Sequence, residues 1–479
     1  MKAEILSLLL NHISVIIGFC LGFWLVARVL RQHLRPSVSI AWLLSIILIP
    51  YVGVPVYFLF GGRKLASRAG RKKGLYPEST PPGSGNKSVE TSGLDPLECV
   101  MLAAGMPPSR HGGRIEFIAD GKEAYTTLLR LIGEAKQSIH VMTFILGHDE
   151  VGRSVVEQLT VKANEGVKVR LLLDALGCLT TRGYFVRKLR RAGGMVGVFS
   201  PVLPLRRKWS ANLRNHRKMI IIDGKTALIG GMNLGKEYMG PNSDPKRWLD
   251  TTLLVEGPAL QDMEEIFAND WNYATKEAQW IPKSDAPTPV ENPSAPSDPS
   301  APSAQIAASG PDVADDPIHD AILTGCMEAK KRIWIVTPYF IPDESISRAI
   351  LLQARLGRDV RVLIPKKSNH SLADLARGPF LRRMKECGVK IHLYPVGMIH
   401  AKHMILDDNV VLAGSMNLDL RSLYLNYEIG VFIRSRQDIQ VVADWAQSLM
   451  DRSEDFVETE VGRVKGWMED LSVLVSPLL

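Results

Sequence analysis

The sequence predicts an α/β fold: two similar halves, each an α/β/α sandwich on a mixed sheet, preceded by a two-helix transmembrane hairpin. Three observations predict it. The first 62 residues hold two long apolar runs. The remainder alternates short β-rich runs with segments of helical apolar spacing, and two parts of it repeat one another. A chain of 479 residues also exceeds one ordinary domain, so two globular units plus extras is the natural division.

The hairpin comes first. Ile5 to Ala27 is apolar except for Asn11 and His12, and Val38 to Phe60 is a second, cleaner run. Each can cross a hydrocarbon core of roughly 30 Å as a helix. Pro50 and Pro55 fall inside the second run, where kinks are tolerated because neighbouring groups satisfy the freed carbonyls. A cleavable leader would need a small-residue site after the first run, and Arg28 stands there instead. Three arginines, Arg28, Arg31 and Arg35, lie in the connection. Lys2 and the cluster Arg63, Lys64, Arg68, Arg71, Lys72 and Lys73 lie on the other side. The positive-inside rule therefore places everything after Phe60 in the cytoplasm, on a multi-pass protein.

Composition agrees with this. The hydrophobic fraction is 46% and the formal charge +8, which calls for an anionic partner, either lipid headgroups or nucleic acid. Charge alone does not choose. Cys20, Cys99, Cys178, Cys326 and Cys387 are odd in number and form no C-x-x-C pair, so they read as buried small apolar residues in a reducing compartment.

Residues 63–108 read as a basic, flexible linker, rich in Pro, Gly, Ser and Thr from Gly74 onward. A second low-complexity stretch, 283–316, is dominated by Pro, Ala, Ser and Asp and reads as a disordered tether. It separates a first repeat, 109–282, from a second, 317–479. Glu134-Ala135-Lys136 precedes the run Ile139–Ile145 as Glu328-Ala329-Lys330 precedes Ile333–Ile341. Gly166–Asp174 answers Gly357–Pro365, and Asp270-Trp271 answers Asp444-Trp445. Val155–Asn164 and Ile346–Arg355 carry helical spacing between the β-rich runs.

The chemistry sits on a repeated motif. Asn215-His216-Arg217-Lys218 runs through Ile220–Ile222 to Asp223 and on to Gly230-Gly231-Met232-Asn233. His400-Ala401-Lys402-His403 runs to Asp407 and on to Gly414-Ser415-Met416-Asn417. Both fit H-x-K-x4-D followed by G-[GS]-x-N. One such match in a chain this long has a chance probability of roughly a few per cent. Two, at equivalent places in a repeat, do not arise that way. Residues two apart on a strand point the same way, so each motif presents an imidazole beside an ammonium. That pair suits a phosphate, one group attacking or donating a proton while the other holds the anion.

The pattern is the signature of the phospholipase D superfamily, and the resemblance covers nearly the whole chain. Finer features resemble the cardiolipin synthase branch: Pro50-Tyr51-Val52-Gly53, Gly235-Lys236-Glu237-Tyr238, Thr337-Pro338-Tyr339-Phe340-Ile341-Pro342-Asp343, and Leu425-Asn426-Tyr427-Glu428. The two-span hairpin adds to the likeness. One departure is Trp248-Leu249-Asp250-Thr251-Thr252, where the family shows W-R-D-T-H.

The resemblance implies two phospholipase D-like repeats closing around one pseudo-symmetric site in the bacterial inner membrane. It implies a catalytic set of His216, Lys218, Asp223, His400, Lys402 and Asp407, supported by Asn233, Asn417, Asp250 and Glu428. Lys218 and Lys402 would hold the phosphate with Asn233 and Asn417. One histidine would form a covalent phosphatidyl-histidine while the other acts as acid and base, so neither metal nor cofactor is expected. Family precedent favours His216 as nucleophile; the sequence itself does not fix it. Asp250 and Glu428 are the candidates to orient the imidazoles. Asp223 and Asp407 are read as bracing the fold through buried ion pairs, and His403 as a structural residue on the opposite strand face. Arg206-Arg207-Lys208-Trp209, with Arg214, Arg217, Leu203 and Leu205, reads either as a solvated loop or as a surface that meets anionic headgroups.

Three reaction classes stay open. The favoured one joins two phosphatidylglycerol molecules, giving cardiolipin and glycerol, with no nucleic acid as partner. A membrane-bound phospholipase D hydrolase would use the same residues and water. A membrane-tethered nuclease would use them on a nucleic acid.

Overall fold

The computed structural model describes residues 22–27, 36–49, 51, 53–54, 57, 72, 74–76, 95–200, 213–275, 277, 302–457 and 461–475. Most of the first apolar run, the Arg206–Trp209 cluster and residues 283–301 lie outside these. The chain divides into two compact units, essentially residues 1–67 and 68–477.

In the first unit, Pro36–Leu48 is a helix of 13 residues. Leu25, Ile46 and Tyr57 are buried together, with Trp42 in edge contact with the Tyr57 ring, so the two apolar runs pack on each other. Phe23, Leu48 and Tyr51 remain largely exposed. Among the described residues no helix is long and apolar enough to cross a membrane.

The second unit carries two large sheets. The strands, in chain order, are β1 (Arg110–His111), β2 (Arg114–Ile118), β3 (Ser138–Thr143), β4 (Lys168–Asp174), β5 (Met195–Phe199), β6 (Met219–Ile222), β7 (Thr226–Gly230) and β8 (Thr252–Glu256). There follow β9 (Ser303–Ser309), β10 (Arg332–Val336), β11 (Phe340–Ile341), β12 (Asp359–Pro365), β13 (Lys390–Tyr394), β14 (His403–Leu406), β15 (Val410–Gly414), β16 (Leu418–Asp419), β17 (Glu428–Ile433) and β18 (Glu454–Asp455). The first sheet runs β2-β8-β7-β6-β3-β4-β5. The second runs β1-β9-β17-β15-β14-β10-β12-β13-β18, the same seven-strand order with one short strand added at each edge. Pairing is parallel between β3, β4 and β5 and antiparallel elsewhere in the first sheet, and the second repeats this. The expected mixed sheets and duplication are both present.

The order of the second sheet corrects the expected tether. Its counterpart of β2 is β9, which pairs with β17 over six residues and lies inside the stretch read as disordered. Ser-Ala-Gln-Ile-Ala-Ala-Ser lacks the large side chains that mark a strand, yet all seven residues are buried. Small side chains suit a strand packed on both faces. The second repeat therefore begins near 303, not 317. The expected 63–108 linker is also partly built into the body: Lys72 is buried, and Pro96–Ala103 is a helix capped by Asp95 and packed on Pro317–Glu328.

Alternation explains the apolar runs. Met219 and Ile221 of β6 face a core shared with β9, β14 and β17 of the other repeat, while Ile220 and Ile222 face the outer helices of their own. The helices Ala259–Thr275 and Arg436–Met450 fill the shared layer through Met263, Phe267, Val442 and Leu449. Outside lie Gly121–Glu134 and Glu150–Asn164 on the first sheet, and Pro317–Glu328 and Glu344–Arg355 on the second. Both faces of each sheet are covered, which is why the strands read as continuous apolar stretches.

Candidate active site

Each motif begins where its central strand begins. His216 and Lys218 precede β6, and His400 and Lys402 precede β14. The approach to each is stitched to the other repeat. Asn215 forms a parallel bridge with Tyr427, with the His216 amide donating to the Tyr427 carbonyl at 2.9 Å and the Tyr427 amide to the Arg214 carbonyl at 2.9 Å. Leu249 bridges Ile399 in the same manner, and the His400 amide donates to the Leu249 carbonyl at 2.7 Å.

These bridges exchange the acids. His216 Nδ1 lies 3.0 Å from both oxygens of Glu428, from the second repeat. His400 Nδ1 lies 2.6 Å from Asp250 Oδ2, from the first. At His216 the far ring nitrogen, Nε2, is left for chemistry, whereas at His400 Lys402 Nζ also lies 2.6 Å from Nδ1 and 3.3 Å from Nε2. Both candidates named from the sequence thus lie against a histidine, each against that of the other repeat.

The two acids are held differently. Glu428 also receives the Ser415 hydroxyl at 2.5 Å and Asn426 Nδ2 at 3.2 Å. Asp250 receives the Thr251 amide at 2.7 Å. This explains G-[GS] in the motif. A Cβ on Gly231 would fall 2.2 Å from Asp250 Oδ1, whereas Ser415 at the equivalent position reaches its acid by a hydrogen bond. A Cβ on Gly230 or Gly414 would meet the backbone of the next strand at 2.4 or 2.2 Å, so glycine is required at both. Ser415, Asn426, Tyr238 and Trp248 stand in motifs quoted from the sequence but were given no role there, and Phe144 was not named; their residue types carry no signal without the contacts.

Phe144 stands edge-on to His216 at 5.0 Å between ring centroids, and Tyr238 and Trp248 lie 5.1 and 5.5 Å from His400. All four motif side chains are buried. Burial pushes the imidazoles below their usual range, His400 the further because Lys402, Lys218 and His216 add to it. Burial likewise brings Lys218 down to about 7 and Lys402 down to about 8. Asp250 is raised to about 6 by burial, against the pull of Lys402. Burial acts to raise Glu428 too, but His216 and Lys218 hold it below the ordinary carboxylate range. Charges of each motif thus act on groups of the other.

Asn233 Oδ1 accepts the Ile145 amide at 3.1 Å, and Asn417 is buried with its side-chain oxygen unpartnered among the described residues. Asp223 and Asp407 lie at the far ends of β6 and β14. A four-residue strand at about 3.3 Å per residue separates them from the lysines, so they do not share a phosphate with them. The expected buried ion pairs are replaced by backbone amides. Asp223 accepts from Lys136, Gln137 and Ser138 at 2.7–2.8 Å, and Asp407 from Lys330, Lys331 and Arg332 at 2.7–2.9 Å. They fix the repeated Glu-Ala-Lys turns. His403 has its Nε2 2.7 Å from Thr251 Oγ1 and packs on Phe117 and Trp445, away from the site as expected. Leu249, which departs from the W-R-D-T-H pattern, contributes its backbone, and Thr252 bonds the Ile229 carbonyl at 3.3 Å. Among the described residues no cluster of side chains could hold a metal ion.

Comparison with known proteins gives a consistent picture. A family model described as cardiolipin synthase, PLD-like domain, matches residues 128–271 and 322–450. A second, phospholipase D-nuclease N-terminal, matches residues 20–62. A cardiolipin synthase of Geobacillus sp. is 32% identical over 98% of this chain and 94% of that protein. One from Listeria monocytogenes serotype 4b is 32% identical over 98% of this chain and the whole of that protein. Among solved structures, phosphatidylserine synthase of Haemophilus influenzae shares the fold, with a TM-score of 0.59 at 17% identity over 80% of this chain and all of that one.

Proposed function

The chain belongs to the cardiolipin synthase family of phospholipase D-like proteins, and on that premise we propose that it joins two phosphatidylglycerol molecules, releasing cardiolipin and glycerol. The observation that carries the reading is the pair of buried histidines, each with Nδ1 on a carboxylate of the opposite repeat and a lysine beside it.

The donor phosphate lies between Lys218 and Lys402. Nε2 of His216 attacks phosphorus and the bond to the departing glycerol oxygen breaks; His400, which takes up a proton once the donor anion offsets the lysines that otherwise keep it neutral, passes its Nε2 proton to that oxygen. Glu428 stabilises the positive charge that the attack leaves on the His216 ring. The terminal hydroxyl of a second phosphatidylglycerol then gives its proton to His400 and attacks phosphorus, and the phosphorus–nitrogen bond breaks. His216 is regenerated. No cofactor enters either step. An acceptor alcohol competes with water because the site is walled by Phe144, Tyr238 and Trp248.

The N-terminal unit is the membrane anchor in this reading, a multi-pass hairpin in the inner membrane with the repeats on the cytoplasmic side. The mutual packing of Leu25, Ile46 and Tyr57 and the outward Phe23, Leu48 and Tyr51 support it. The repeats then comprise about 109–282 and 303–479.

The deciding experiment incubates the purified protein with headgroup-labelled phosphatidylglycerol in mixed micelles and identifies both products. Cardiolipin with equimolar glycerol is expected. Phosphatidic acid with glycerol would make the protein a hydrolase, and no lipid turnover would overturn the reading.

A further inference from the structure

Behind His216 lies a buried charge cluster that the described residues do not repeat behind His400. Arg217 donates from Nη1 to both oxygens of Asp270 at 2.9 Å and from Nη2 to Asp312 Oδ1 at 3.4 Å. Its Nε donates to the main-chain carbonyl of Glu428 at 3.0 Å. Asn215 Nδ2 donates to Asp270 Oδ2 at 3.0 Å. The second cation is Lys72, from the segment that follows the apolar runs in sequence. Its Nζ bonds Asp270 and, at 2.5 Å, Asp312 Oδ2. It also lies 4.8 Å from the centroid of the Tyr427 ring, whose carbonyl receives the His216 amide. The same segment is tied down by the Leu75 amide on the Asp312 carbonyl at 3.2 Å and by the Tyr76 hydroxyl, which accepts the Ala308 amide at 3.0 Å.

Among the described residues the motif of His400 has no such cluster. Ala401 stands where Arg217 does, and Asp444, the sequence counterpart of Asp270, is exposed and takes the Gln440 side chain. The cluster's two carboxylates and two cations balance. Removal of Lys72 leaves one negative charge uncompensated in a dry interior, a costly arrangement that the neighbours relieve by moving. The neighbours are Arg217, whose Nε holds the Glu428 main chain, and Tyr427, whose carbonyl holds His216.

We propose that Lys72 is a positioning residue for the first half-site: by balancing Asp270, Arg217 and Asp312 it keeps the His216–Glu428 pair in register. The segment after the apolar runs is then a working part of the catalytic body. The kinetic readout of this proposal rests on the phosphatidyl-transfer reading above.

The charged groups facing His216 are Glu428, Lys218 and Lys402, and those facing Lys72 are Asp270 and Asp312, with Arg217 and Tyr76 close by. An unbalanced negative charge behind the pair favours imidazolium, so His216 holds its proton to higher pH. The full chain in mixed micelles is compared as Lys72→Met, Lys72→Arg and the double variant Lys72→Met with Asp312→Asn, which restores the charge balance. Lys72→Met is expected to lower kcat about tenfold or more with little change in KM, and to move the acid limb of the pH profile upward. Lys72→Arg and the double variant are expected to recover most of the loss. A second readout needs no turnover: the pH dependence of carbethoxylation at His216 by diethyl pyrocarbonate, mapped by mass spectrometry, should shift upward in Lys72→Met alone. Wild-type behaviour of Lys72→Met in both assays overturns the proposal. So does a loss that neither companion variant restores with an unmoved carbethoxylation curve, which makes Lys72 a fold residue only. Should the wild type turn over no lipid, the phosphatidyl-transfer reading fails while the carbethoxylation curve still decides Lys72.

Discussion

His216 and Glu428 are 212 positions apart in sequence, yet Nδ1 of the imidazole lies 3.0 Å from both carboxylate oxygens. The pair joins the two repeats, and Asp250 with His400 joins them again in the opposite sense. Neither repeat holds a histidine together with the carboxylate that contacts it.

The first prediction follows from this exchange. Glu428→Gln and Asp250→Asn each keep the shape of the acid but lose its charge and its hold on the tautomer. Each is expected to lower kcat by about 10²- to 10⁴-fold while KM changes little. Steady-state kinetics on phosphatidylglycerol checks this, and near-normal kcat in either variant would remove the acid from the mechanism.

The second concerns the intermediate. His216→Ala and His400→Ala are each expected to abolish turnover. A donor labelled in its acyl chains, reacted with wild-type protein and quenched in alkali to preserve phosphohistidine, should leave label on the peptide that contains His216. Label on the His400 peptide would reverse the two roles.

Glycine 231 supplies the third. The Cβ of Gly231→Ala falls 2.2 Å from Asp250 Oδ1 and must displace the acid from His400. A kcat loss of about 10- to 100-fold is expected. Ser415→Gly removes one of several bonds to Glu428 and should cost less. An equal or reversed order would contradict the packing described for the two acids.

The motif aspartates give the fourth. Asp407→Ala loses three accepted amides at a residue whose φ is +52°. A stability loss of about 2–4 kcal/mol is expected, seen as a fall in Tm of several degrees, while the folded fraction keeps its kcat. A kcat loss without a stability loss would return Asp407 to the chemistry.

The fifth is a pH dependence. Lys218 at about 7 and Lys402 at about 8 are cationic below those values and lose their protons above them. The grip on the donor phosphate is therefore present at pH 6–7 and is lost as pH rises through 8, although the bound anion itself opposes the loss. KM for the donor is expected to rise several-fold between about pH 7 and 9. A flat KM over that range would show that the lysines stay charged throughout.

The sequence alone determined the α/β class, the duplication and the two His-Lys pairs, and it named Asp250 and Glu428 as candidate acids. Periodicity and repeated spacing are local patterns, and they survive in a linear text. Only the tertiary structure decided which acid serves which histidine, because the bridges Asn215–Tyr427 and Leu249–Ile399 join segments far apart in the chain. It also decided that Asp223 and Asp407 hold backbone amides instead of ions. It recovered Ser303–Ser309 as a strand where composition suggested a tether, since small residues look disordered until two neighbouring strands bury them. Lys72 is the sharpest case. In the sequence it is one more charge in a basic run, and only the burial of Asp270 and Asp312 beside it makes that charge part of the site.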